Sequence, residues 1–548
     1  MTGAAGGYDA IVVGGGHNGL VCGAYLAMDG LRTLILERRE ECGGMAATRE
    51  LLAGVRVPVV AHTLGRLRPS IARDLRLPEH GLTLVQPEVR VYAPQPDGRA
   101  LTLWGDVHRT AAELSSDGLV SDADAASYVE NDGRLRALAS AMAVLMSRTP
   151  PDITHPGLGD ALESLRTGLI ARSRARSESG GLLRVAPMAV ADLAGEWFES
   201  DPLRVLLAAR AIQYTALEPR NPGTAALLVA DAAGNDGGLA GQTVFARGGP
   251  GALGTALLTA ARSLGAEVRT GTEVASVRQA DGIVRGVALT SGEEIDAPVV
   301  VSGLDPKRTL LDLLEPEVLG PRLSWRAGNI RQRGATAKVN LALGALPVFR
   351  GLAGNGSDLR LRGRIVMAPG TANLEQSARA GKYGRLADEP VLEATIPSLV
   401  DPSLIDASRR RRRAVSHVMS VIVQPAPYDL AEGSWKDRRE ELGDRALETL
   451  ERYAPGITSL VEARQVITPL DVERDYGAAE GHALHAEAGL DQWFAWRPLH
   501  GWGRYRLPLE GLYLCGSGAH PGGGVTGGPG QLAAREILAD WSRRRSRR

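Results

Sequence analysis

The sequence predicts an α/β fold that begins with a Rossmann-like dinucleotide-binding unit, and glycine-rich segments at both ends of the chain carry this prediction. Near the N-terminus, an apolar strand from Tyr8 to Val13 precedes a turn from Gly14 to Gly19 and a helix from Leu20 to Met28. Near the C-terminus, another short apolar strand precedes a segment with eight glycines in fifteen residues. Strand, glycine turn and helix in that order are typical of parallel sheets that bind nucleotides at their loops.

The residue types of the first unit each suit a dinucleotide. Gly14 permits a tight turn, Gly16 lets the backbone approach a pyrophosphate, and Gly19 allows the helix to pack closely on the sheet. The helix N-terminus favours the phosphate charge. A second strand, Thr33 to Leu36, ends at Glu37, about 20 residues beyond the turn, where an acid can accept hydrogen bonds from ribose hydroxyls. A glycine turn alone also occurs in plain loops, but the complete unit favours dinucleotide binding.

The residues after Glu37 bear on which dinucleotide is bound. Arg38 and Arg39 could contact the 2′-phosphate of a nicotinamide cofactor. However, the pair Gly43 and Gly44, followed by Met45, could bring the backbone close to the pyrophosphate and flavin side of a longer cofactor. The alternative for this pair is a turn into the next segment. The pair favours FAD.

The C-terminal segment strengthens the FAD prediction. A strand from Leu512 to Cys515 leads into the glycine-rich stretch 516–530, and a helix is predicted from Gln531 to Trp541. So many positions without side chains suggest a backbone lying against a planar ligand, with a helix dipole directed at charge on the flavin. The alternative is a flexible glycine loop. Together with the first unit, this segment predicts FAD as the cofactor.

Composition excludes several other classes of protein. The chain has 548 residues, 44% of them hydrophobic, with 63 basic and 63 acidic residues, so it is predicted to fold and not to bind nucleic acid. No uncharged apolar run approaches the ~20 residues of a transmembrane helix, and residues 1–7 lack the features of a signal peptide. The three widely spaced cysteines suit a reducing compartment. We therefore predict a cytoplasmic protein without a membrane span.

Several motifs resemble those of the phytoene-desaturase-like flavoproteins. The resemblance is carried by Gly14 to Leu20, Glu37 to Arg39, Gly43 with Gly44, Leu512 to Gly516 and His520 to Val525. Within that family the sequence is most similar to the branch called pyridine nucleotide-disulfide oxidoreductase domain-containing protein 2. Further matches cover most of the chain: Arg66 to Leu77, Gly248 to Leu253, Val300 to Leu314, and Glu473 to Gly477.

The resemblance implies a non-covalently bound FAD in a discontinuous, glutathione-reductase-like Rossmann domain with an inserted α+β substrate domain. We expect residues 1–60, 236–310 and 500–548 to form the FAD-binding domain, and residues 61–235 and 311–499 the substrate domain. In folds of this kind, the backbone of Val274 contacts the adenine side. The residues expected to contact FAD are Gly14, Gly16, Asn18, Gly19, Glu37, Arg38, Gly43, Gly44, Met45, Val274, Gly516, Ser517, Gly523, Gly524 and Val525.

The two stretches assigned to the substrate domain differ in pattern. Residues 61–235 are mostly helical in pattern, whereas 311–499 mix helix with strands such as Ala335 to Leu343 and Val415 to Val423. They are expected to enclose a mostly aliphatic pocket that opens onto the flavin. Arginine runs at 409–413 and 542–548 suggest either peripheral contact with acidic lipids or ordinary solvated surface.

Catalytic residues are harder to identify from sequence. Oxidation of a C–H bond by a flavin requires a carbon held near N5, and desaturation also requires a base. His62, His520 and Tyr505 are the candidates, although His62 in an apolar run also suits a satisfied core histidine and His520 a structural role. The remaining histidines lack metal-ligand spacing, so no metal is predicted. Cys42 has no nearby partner cysteine, which argues against disulfide chemistry.

These observations predict a FAD-dependent oxidoreductase, either a dehydrogenase, a desaturase or an oxidase. Hydride would pass to flavin N5 from an apolar small molecule of a polyene or isoprenoid-like kind, a substrate class taken only from the resemblance. Oxygen or a quinone could serve as electron acceptor, and the sequence leaves this open. The alternatives are a flavoprotein with mainly a binding or interaction role and a non-redox flavin isomerase.

Overall fold

A computed structural model describes residues 7–116, 118–174, 181–234, 241–352, 357–411 and 414–547. The strands, in chain order, are Ala10–Val13 (β1), Thr33–Leu36 (β2), Thr48–Leu52 (β3), Val55–Pro58 (β4), Leu84–Val85 (β5), Val89–Pro94 (β6), Ala100–Trp104 (β7), Phe245–Ala246 (β8), Glu267–Arg269 (β9), Val274–Ala280 (β10), Ile283–Leu289 (β11), Glu294–Asp296 (β12), Val300–Ser302 (β13), Ala337–Leu343 (β14), Arg364–Met367 (β15), Val391–Thr395 (β16), His417–Gln424 (β17), Val461–Ile467 (β18) and Leu512–Leu514 (β19).

The α-helices alternate with these strands along much of the chain. In chain order they are His17–Met28 (α1), Pro69–Asp74 (α2), Val107–Ser116 (α3), Asp122–Met146 (α4), Leu158–Arg174 (α5), Gly181–Val185 (α6), Val190–Trp197 (α7), Asp201–Ile212 (α8), Thr224–Ala233 (α9), Gly251–Ser263 (α10), Pro316–Gly328 (α11), Ser357–Arg360 (α12), Thr371–Lys382 (α13), Ala407–Arg411 (α14), Trp435–Tyr453 (α15), Pro469–Tyr476 (α16) and Gly528–Arg547 (α17).

A five-stranded parallel sheet carries the glycine turn. Its strand order is β19-β13-β1-β2-β9, and Ile11 of β1 pairs with Leu34 on one side and Val300 on the other. Strands from the N-terminal, middle and C-terminal parts of the chain therefore meet in one sheet. Every residue of β1 and β2 is buried, as expected for a parallel sheet covered on both faces. Helix α1 packs against both α10 and α17. This arrangement is an α/β Rossmann-like fold, as predicted.

A seven-stranded sheet forms the second large layer. Its order is β18-β14-β17-β16-β15-β6-β7, and every neighbouring pair is antiparallel except β15 with β6. Alternate residues of β14, such as Val339 and Leu341, pack in a core with Trp435 and Leu442 of α15. The intervening residues, including Lys338 and Asn340, are also buried. The sheet therefore has an apolar face toward α15 and a polar buried face.

The helical pattern predicted for residues 61–235 is incomplete. Helices α2 to α9 lie there, but so do β6 and β7, which form the edge of the seven-stranded sheet. Strand β6 pairs with β15, which lies far along the chain, so local periodicity gave little signal. Of the arginine runs, residues 412, 413 and 548 lie outside the described part of the chain. Among the described helices, none is long and apolar enough to cross a membrane.

Candidate functional site

A cleft of about 1340 Å³ opens at the carboxyl end of β1. We call it the glycine cleft. It is lined by the N-terminal glycine turn, the end of β2 with Glu37, the start of β10 and Ser517 of the C-terminal motif. The cleft lies beyond the carboxyl ends of parallel strands, which is where ligands bind in open α/β sheets.

The turn after β1 shows which glycines serve packing and which leave space. Gly14 has a φ of 97°, a conformation that favours glycine. A Cβ on Gly19 would lie 2.0 Å from the carbonyl oxygen of Gly14, so Gly19 allows the close approach of α1. By contrast, a Cβ on Gly16 would come no nearer than 4.0 Å to a described atom, the Cα of Gly44. The backbone at Gly16 therefore faces open space on the cleft side.

The second glycine pair packs directly on this turn. The N–H of Gly43 donates to the carbonyl of Gly15 at 2.8 Å, and a Cβ on Gly44 would lie 3.1 Å from the Cα of Gly16. Met45 follows and lines the cleft. The turn and the pair thus form one continuous glycine surface.

Glu37 is held in the cleft by backbone amides. Its Oε2 accepts from the N–H of Gly15 at 2.8 Å and its Oε1 from the N–H of Arg39 at 3.0 Å. The residue is 7% exposed. Arg38 lines the same cleft and donates to the carbonyl of Arg474 at 3.2 Å. A fixed carboxylate with remaining lone pairs can accept hydrogen bonds from a diol.

The C-terminal motif reaches the first turn through one side-chain pair. Asn18 Nδ2 donates to Ser517 Oγ at 3.0 Å, and both residues line the cleft. Gly516 and Gly523 pack against protein instead. A Cβ on Gly516 would lie 2.5 Å from the carbonyl of Leu304, and one on Gly523 would lie 2.4 Å from the Cβ of Leu484.

The predicted cofactor residues therefore divide into three groups. Those that line the glycine cleft are Gly14, Gly16, Asn18, Gly19, Glu37, Arg38, Gly44, Met45, Val274 and Ser517. Gly524 and Val525 line an adjoining space of about 930 Å³, which we call the inner cavity. Gly43, Gly516 and Gly523 are not among the described residues that line either space.

The inner cavity adjoins both the glycine cleft and a third space. It shares His17, Met45 and Ser517 with the cleft. With a space of about 1240 Å³, which we call the apolar cavity, it shares Arg210, Gln213, Asp231, Ala232, Gly241 and Glu393. The three spaces form one series from the glycine turn to the seven-stranded sheet.

The apolar cavity is lined mostly by aliphatic and aromatic side chains from α8, α9 and the seven-stranded sheet. Six charged residues also line it, and each has a partner of opposite charge. The nearest contacts are 3.2 Å between Arg90 and Asp132, 2.6 Å between Arg210 and Asp231, and 2.9 Å between Arg364 and Glu393.

A buried charged network stands where the inner and apolar cavities meet. Asp231 accepts from both Arg66 and Arg210, each at 2.6 Å. Burial raises the pKa of Asp231, but these two guanidinium groups outweigh it and lower the pKa to about 2. The carboxylate therefore stays ionised, and the network contains more guanidinium than carboxylate groups.

His62 belongs to this network and is not among the described residues that line the three spaces. Its Nε2 lies 3.1 Å from Glu393 Oε1, and its Nδ1 lies 3.4 Å from the Thr395 hydroxyl. Burial and the nearby Lys338 lower the pKa of His62 to about 4. Lys338 Nζ is itself buried, with no hydrogen-bond partner among the described residues, and burial lowers its pKa well below the usual value.

Tyr505 and His520 contact each other away from the cavities. The Tyr505 hydroxyl donates to the His520 carbonyl at 3.0 Å, and the His520 ring meets Phe494 edge-on at 5.3 Å. None of the three catalytic candidates is among the described residues that line the glycine cleft, inner cavity or apolar cavity. Their catalytic roles stay predictions.

Two histidines that the sequence pattern did not single out line the glycine cleft, namely His17 and His485. Nε2 of His17 and Nδ1 of His485 are buried and lack a hydrogen-bond partner among the described residues. Burial, with a contribution from His485, lowers the pKa of His17 to about 4. His17 lies inside the glycine turn, so its position there was the signal that could have identified it.

Two cysteines and the potential metal ligands of the described residues are candidates for a second site. Cys22 and Cys515 are both buried in the core of the Rossmann-like layer. A hydrogen bond with Cys515, together with burial, raises the pKa of the Cys22 thiol well above its usual value, which disfavours the reactive thiolate. Within the described ranges, no group of three or more His, Cys, Asp or Glu residues is arranged to hold a metal ion.

Comparison with known proteins gives full-length relatives. A family model described as an NAD(P)-binding Rossmann-like domain matches residues 12–75. Pyridine nucleotide-disulfide oxidoreductase domain-containing protein 2 of Rattus norvegicus is 33% identical over 97% of this chain and 94% of its own. A limonene dehydrogenase subunit from Castellaniella defragrans is 25% identical over 97% and 94%, and a phytoene desaturase of Rhodobacter capsulatus 24% over 96% and 93%. The predicted resemblance is confirmed.

Solved structures of similar fold cover nearly the whole chain. An oxidoreductase from Methanosarcina mazei matches with a TM-score of 0.61 at 17% identity, covering 97% of this chain and 99% of its own. Cyclohexylamine oxidase from Brevibacterium oxydans matches with a TM-score of 0.56 at 14% identity, covering 98% and 100%. At these identities the likeness concerns the fold.

Proposed function

The chain belongs to the family of pyridine nucleotide-disulfide oxidoreductase domain-containing protein 2, and we propose from this premise that it is a FAD-dependent oxidoreductase acting on a largely apolar small molecule. The coarser statement, membership of a flavin-type oxidoreductase family, follows from its relatives. The observation that supports FAD as cofactor and an apolar substrate is the series of three spaces. It leads from a dinucleotide-type cleft past buried charges into a cavity with mainly aliphatic walls.

The residues of the glycine cleft suit FAD. The open space beside Gly16 at the N-terminus of α1 suits a pyrophosphate, because backbone N–H groups there favour an anion. Glu37 is fixed where it can accept hydrogen bonds from a ribose. Val274 and Arg38 would border the adenosine part, and Met45, His17 and Ser517 would border the part that extends toward the inner cavity. We propose residues 1–60, 236–310 and 500–548 as the FAD-binding domain on this basis.

FAD bound there would supply a hydride acceptor at its N5 for a C–H bond of the substrate. The chain's own contribution is placement. Leu206, Leu207 and Leu228 in the wall of the apolar cavity would hold an apolar body. The charged residues that line the apolar cavity are paired with one another. This arrangement favours a neutral, mostly apolar molecule over a protonated amine, which would add positive charge beside Arg66 and Arg210.

The test begins with the purified full-length protein. We expect it to be yellow and to release stoichiometric FAD on heating. Mixed without oxygen with apolar candidates such as polyenes and isoprenoids, the flavin should lose its oxidised absorbance and regain it with oxygen or a quinone. A colourless protein that binds only NADPH would contradict the cofactor proposal. Stable FAD that no candidate reduces would favour the binding or isomerase alternatives, and reduction by amines alone would contradict the substrate class.

A pair of cavity variants links the chemistry to the apolar cavity. Leu207→Trp should fill part of that space and slow flavin reduction by the substrate, while FAD content stays at the wild-type level. Leu207→Met, which conserves volume, is the matched control and should react nearly as the wild type does. Equal rates for both variants would show that the substrate does not use this cavity.

A further inference from the structure

Helix α5 presents a stripe of leucines to solvent. Leu158, Leu162, Leu165 and Leu169 are 88%, 69%, 62% and 59% exposed, and their spacing of four, three and four residues places them on one helical face. Ala171 is the buried residue of this helix. Amphipathic helices of globular proteins normally turn such a face toward the core. Here the face has no covering partner among the described residues.

A further exposed leucine lies on the neighbouring helix α6. Ala171 packs in a small cluster with Ala141 and Leu182. The residue after Leu182, Leu183 on α6, is 87% exposed. The exposed apolar surface therefore includes two neighbouring helices. We call these five leucines the leucine surface.

Charge is distributed asymmetrically around the stripe. Arg166 follows Leu162 by four positions and Arg172 follows Leu169 by three, so helical geometry places both arginines beside the leucines. The acidic residues point elsewhere. Asp160 pairs with Arg504 at 2.9 Å, and Glu163 pairs with Arg148. The outward side of α5 is consequently apolar with a cationic border.

We propose that the leucine surface binds in the interface of a membrane that contains anionic lipids. A helix with leucines on one face and arginines at the border suits the boundary between acyl chains and acidic headgroups. Pairing with a second copy is a poorer fit. It would bring together two stripes bordered by arginines, while Asp160 and Glu163, which could neutralise these arginines, are already engaged within the chain. The proposal does not depend on the bound cofactor or the substrate.

The experiment is flotation of the full-length protein with vesicles of phosphatidylcholine, with and without phosphatidylserine. We expect wild-type protein to float with the anionic vesicles, and less so as salt is raised. The double variant Leu162→Glu/Leu165→Glu should lower the vesicle partition coefficient by at least ~10-fold, because two apolar contacts become charged. Its fold should persist, since both side chains are exposed. The matched control is Thr255→Glu/Thr259→Glu on the exposed side of α10, which should float as the wild type does.

A second variant tests the contribution of the arginines to vesicle binding while the leucines are retained. Arg166→Gln/Arg172→Gln retains the leucines and should lose most of the preference for anionic over neutral vesicles. Molar mass measured by light scattering tests the other possible occupant of the leucine surface, a second copy of the chain. A wild-type dimer that becomes monomeric in the leucine variant without any vesicle binding would assign the surface to a second copy and overturn the proposal. Absence of wild-type flotation, or flotation unchanged by the leucine substitutions, would also overturn it.

Discussion

The Glu37 carboxylate accepts a hydrogen bond from the Gly15 N–H at 2.8 Å, which holds the acid at the end of β2 against the glycine turn that follows β1. The two strands are neighbours in the parallel sheet. Two features separated along the sequence thus meet at one point of the cleft. The same contact orients the carboxylate before any ligand arrives, which lowers the cost of binding a diol.

Substitution of Glu37 should weaken FAD binding. Glu37→Ala removes charge-assisted hydrogen bonds to the ribose, worth ~1.5–3 kcal/mol, so the Kd should rise by roughly 10-fold or more. Glu37→Gln keeps an acceptor for the Gly15 N–H and should give a smaller rise. Binding of FAD to folded apoprotein, followed by flavin fluorescence, measures both. Glu40→Ala, an exposed neighbour, is the control, and wild-type affinity in Glu37→Ala would contradict the assignment.

The variant Gly16→Ala distinguishes a loss of space for FAD from a loss of protein stability. Its φ of −65° suits alanine, and the added Cβ has room in the structure, so the apoprotein should keep its thermal stability. FAD affinity should nevertheless fall by ~10-fold or more, since the methyl group would occupy space beside the pyrophosphate. Gly133→Ala on the exposed side of α4 is the matched control and should leave affinity unchanged. Undiminished FAD binding in Gly16→Ala would show that the pyrophosphate lies elsewhere.

The elements around the cleft could be predicted because their signals are local. Strand β2 has the predicted bounds Thr33–Leu36, since a short apolar run bounded by an acid suffices to identify it. Helix α17 begins at Gly528, three residues before the predicted start, because glycines weaken the sequence signal for a helix. Local spacing also placed Gly14 and Glu37 in one cleft.

The charged network could not be predicted, because it joins residues distant in sequence. Arg66 and Asp231 are 165 positions apart, and His62 and Glu393 are 331 apart. No spacing rule links them, and each residue taken alone is an ordinary charged or core residue. Helix α5 illustrates a different limit. It lies in the stretch 61–235 that was predicted to be mostly helical, but a helical pattern alone implies that an apolar face is buried, whereas the structure exposes the leucine face.

Stability should fall when the pH is lowered below neutral. Burial is the main cause that lowers the pKa of His17 and His62 to about 4, and that of His482 and His520 to about 3. In the unfolded chain the histidine pKa is about 6.5. The unfolded state therefore binds more protons below that pH. The stabilising contribution is complete above about pH 6.5 and is lost as the pH falls toward 4.

Each such histidine contributes up to ~1.4 kcal/mol per pH unit within this window. Denaturant unfolding measured in steps from pH 7 to pH 4.5 should show the loss. His62→Gln should flatten the curve, since it removes one titrating group while retaining a donor toward Glu393. His108→Gln, at an exposed position of α3, is the control and should leave the slope as it is. A free energy of unfolding that stays level over this range would contradict the prediction.

The surroundings of His520 favour a structural role over a catalytic one. Its ring packs edge-on against Phe494, its carbonyl accepts from Tyr505, and it is absent from the described lining of the three spaces. We therefore expect His520→Ala to disturb the packing of the glycine-rich stretch 516–530. Stability should fall by ~3 kcal/mol, as for other truncated buried rings, and FAD content should fall with it.

The rate of flavin reduction per bound FAD distinguishes a structural role of His520 in the loop from a catalytic role. If His520 braces the glycine-rich loop, that rate should stay close to the wild-type value in the molecules that retain FAD. A positioned proton-transfer group would instead slow reduction by ~10²-fold or more at full occupancy. Tyr505→Phe is the matched control, since it removes only the hydroxyl that bonds to the His520 carbonyl and should cost about 1 kcal/mol. Slow reduction with normal FAD content in His520→Ala, together with a wild-type rate in Tyr505→Phe, would assign His520 to the reacting centre.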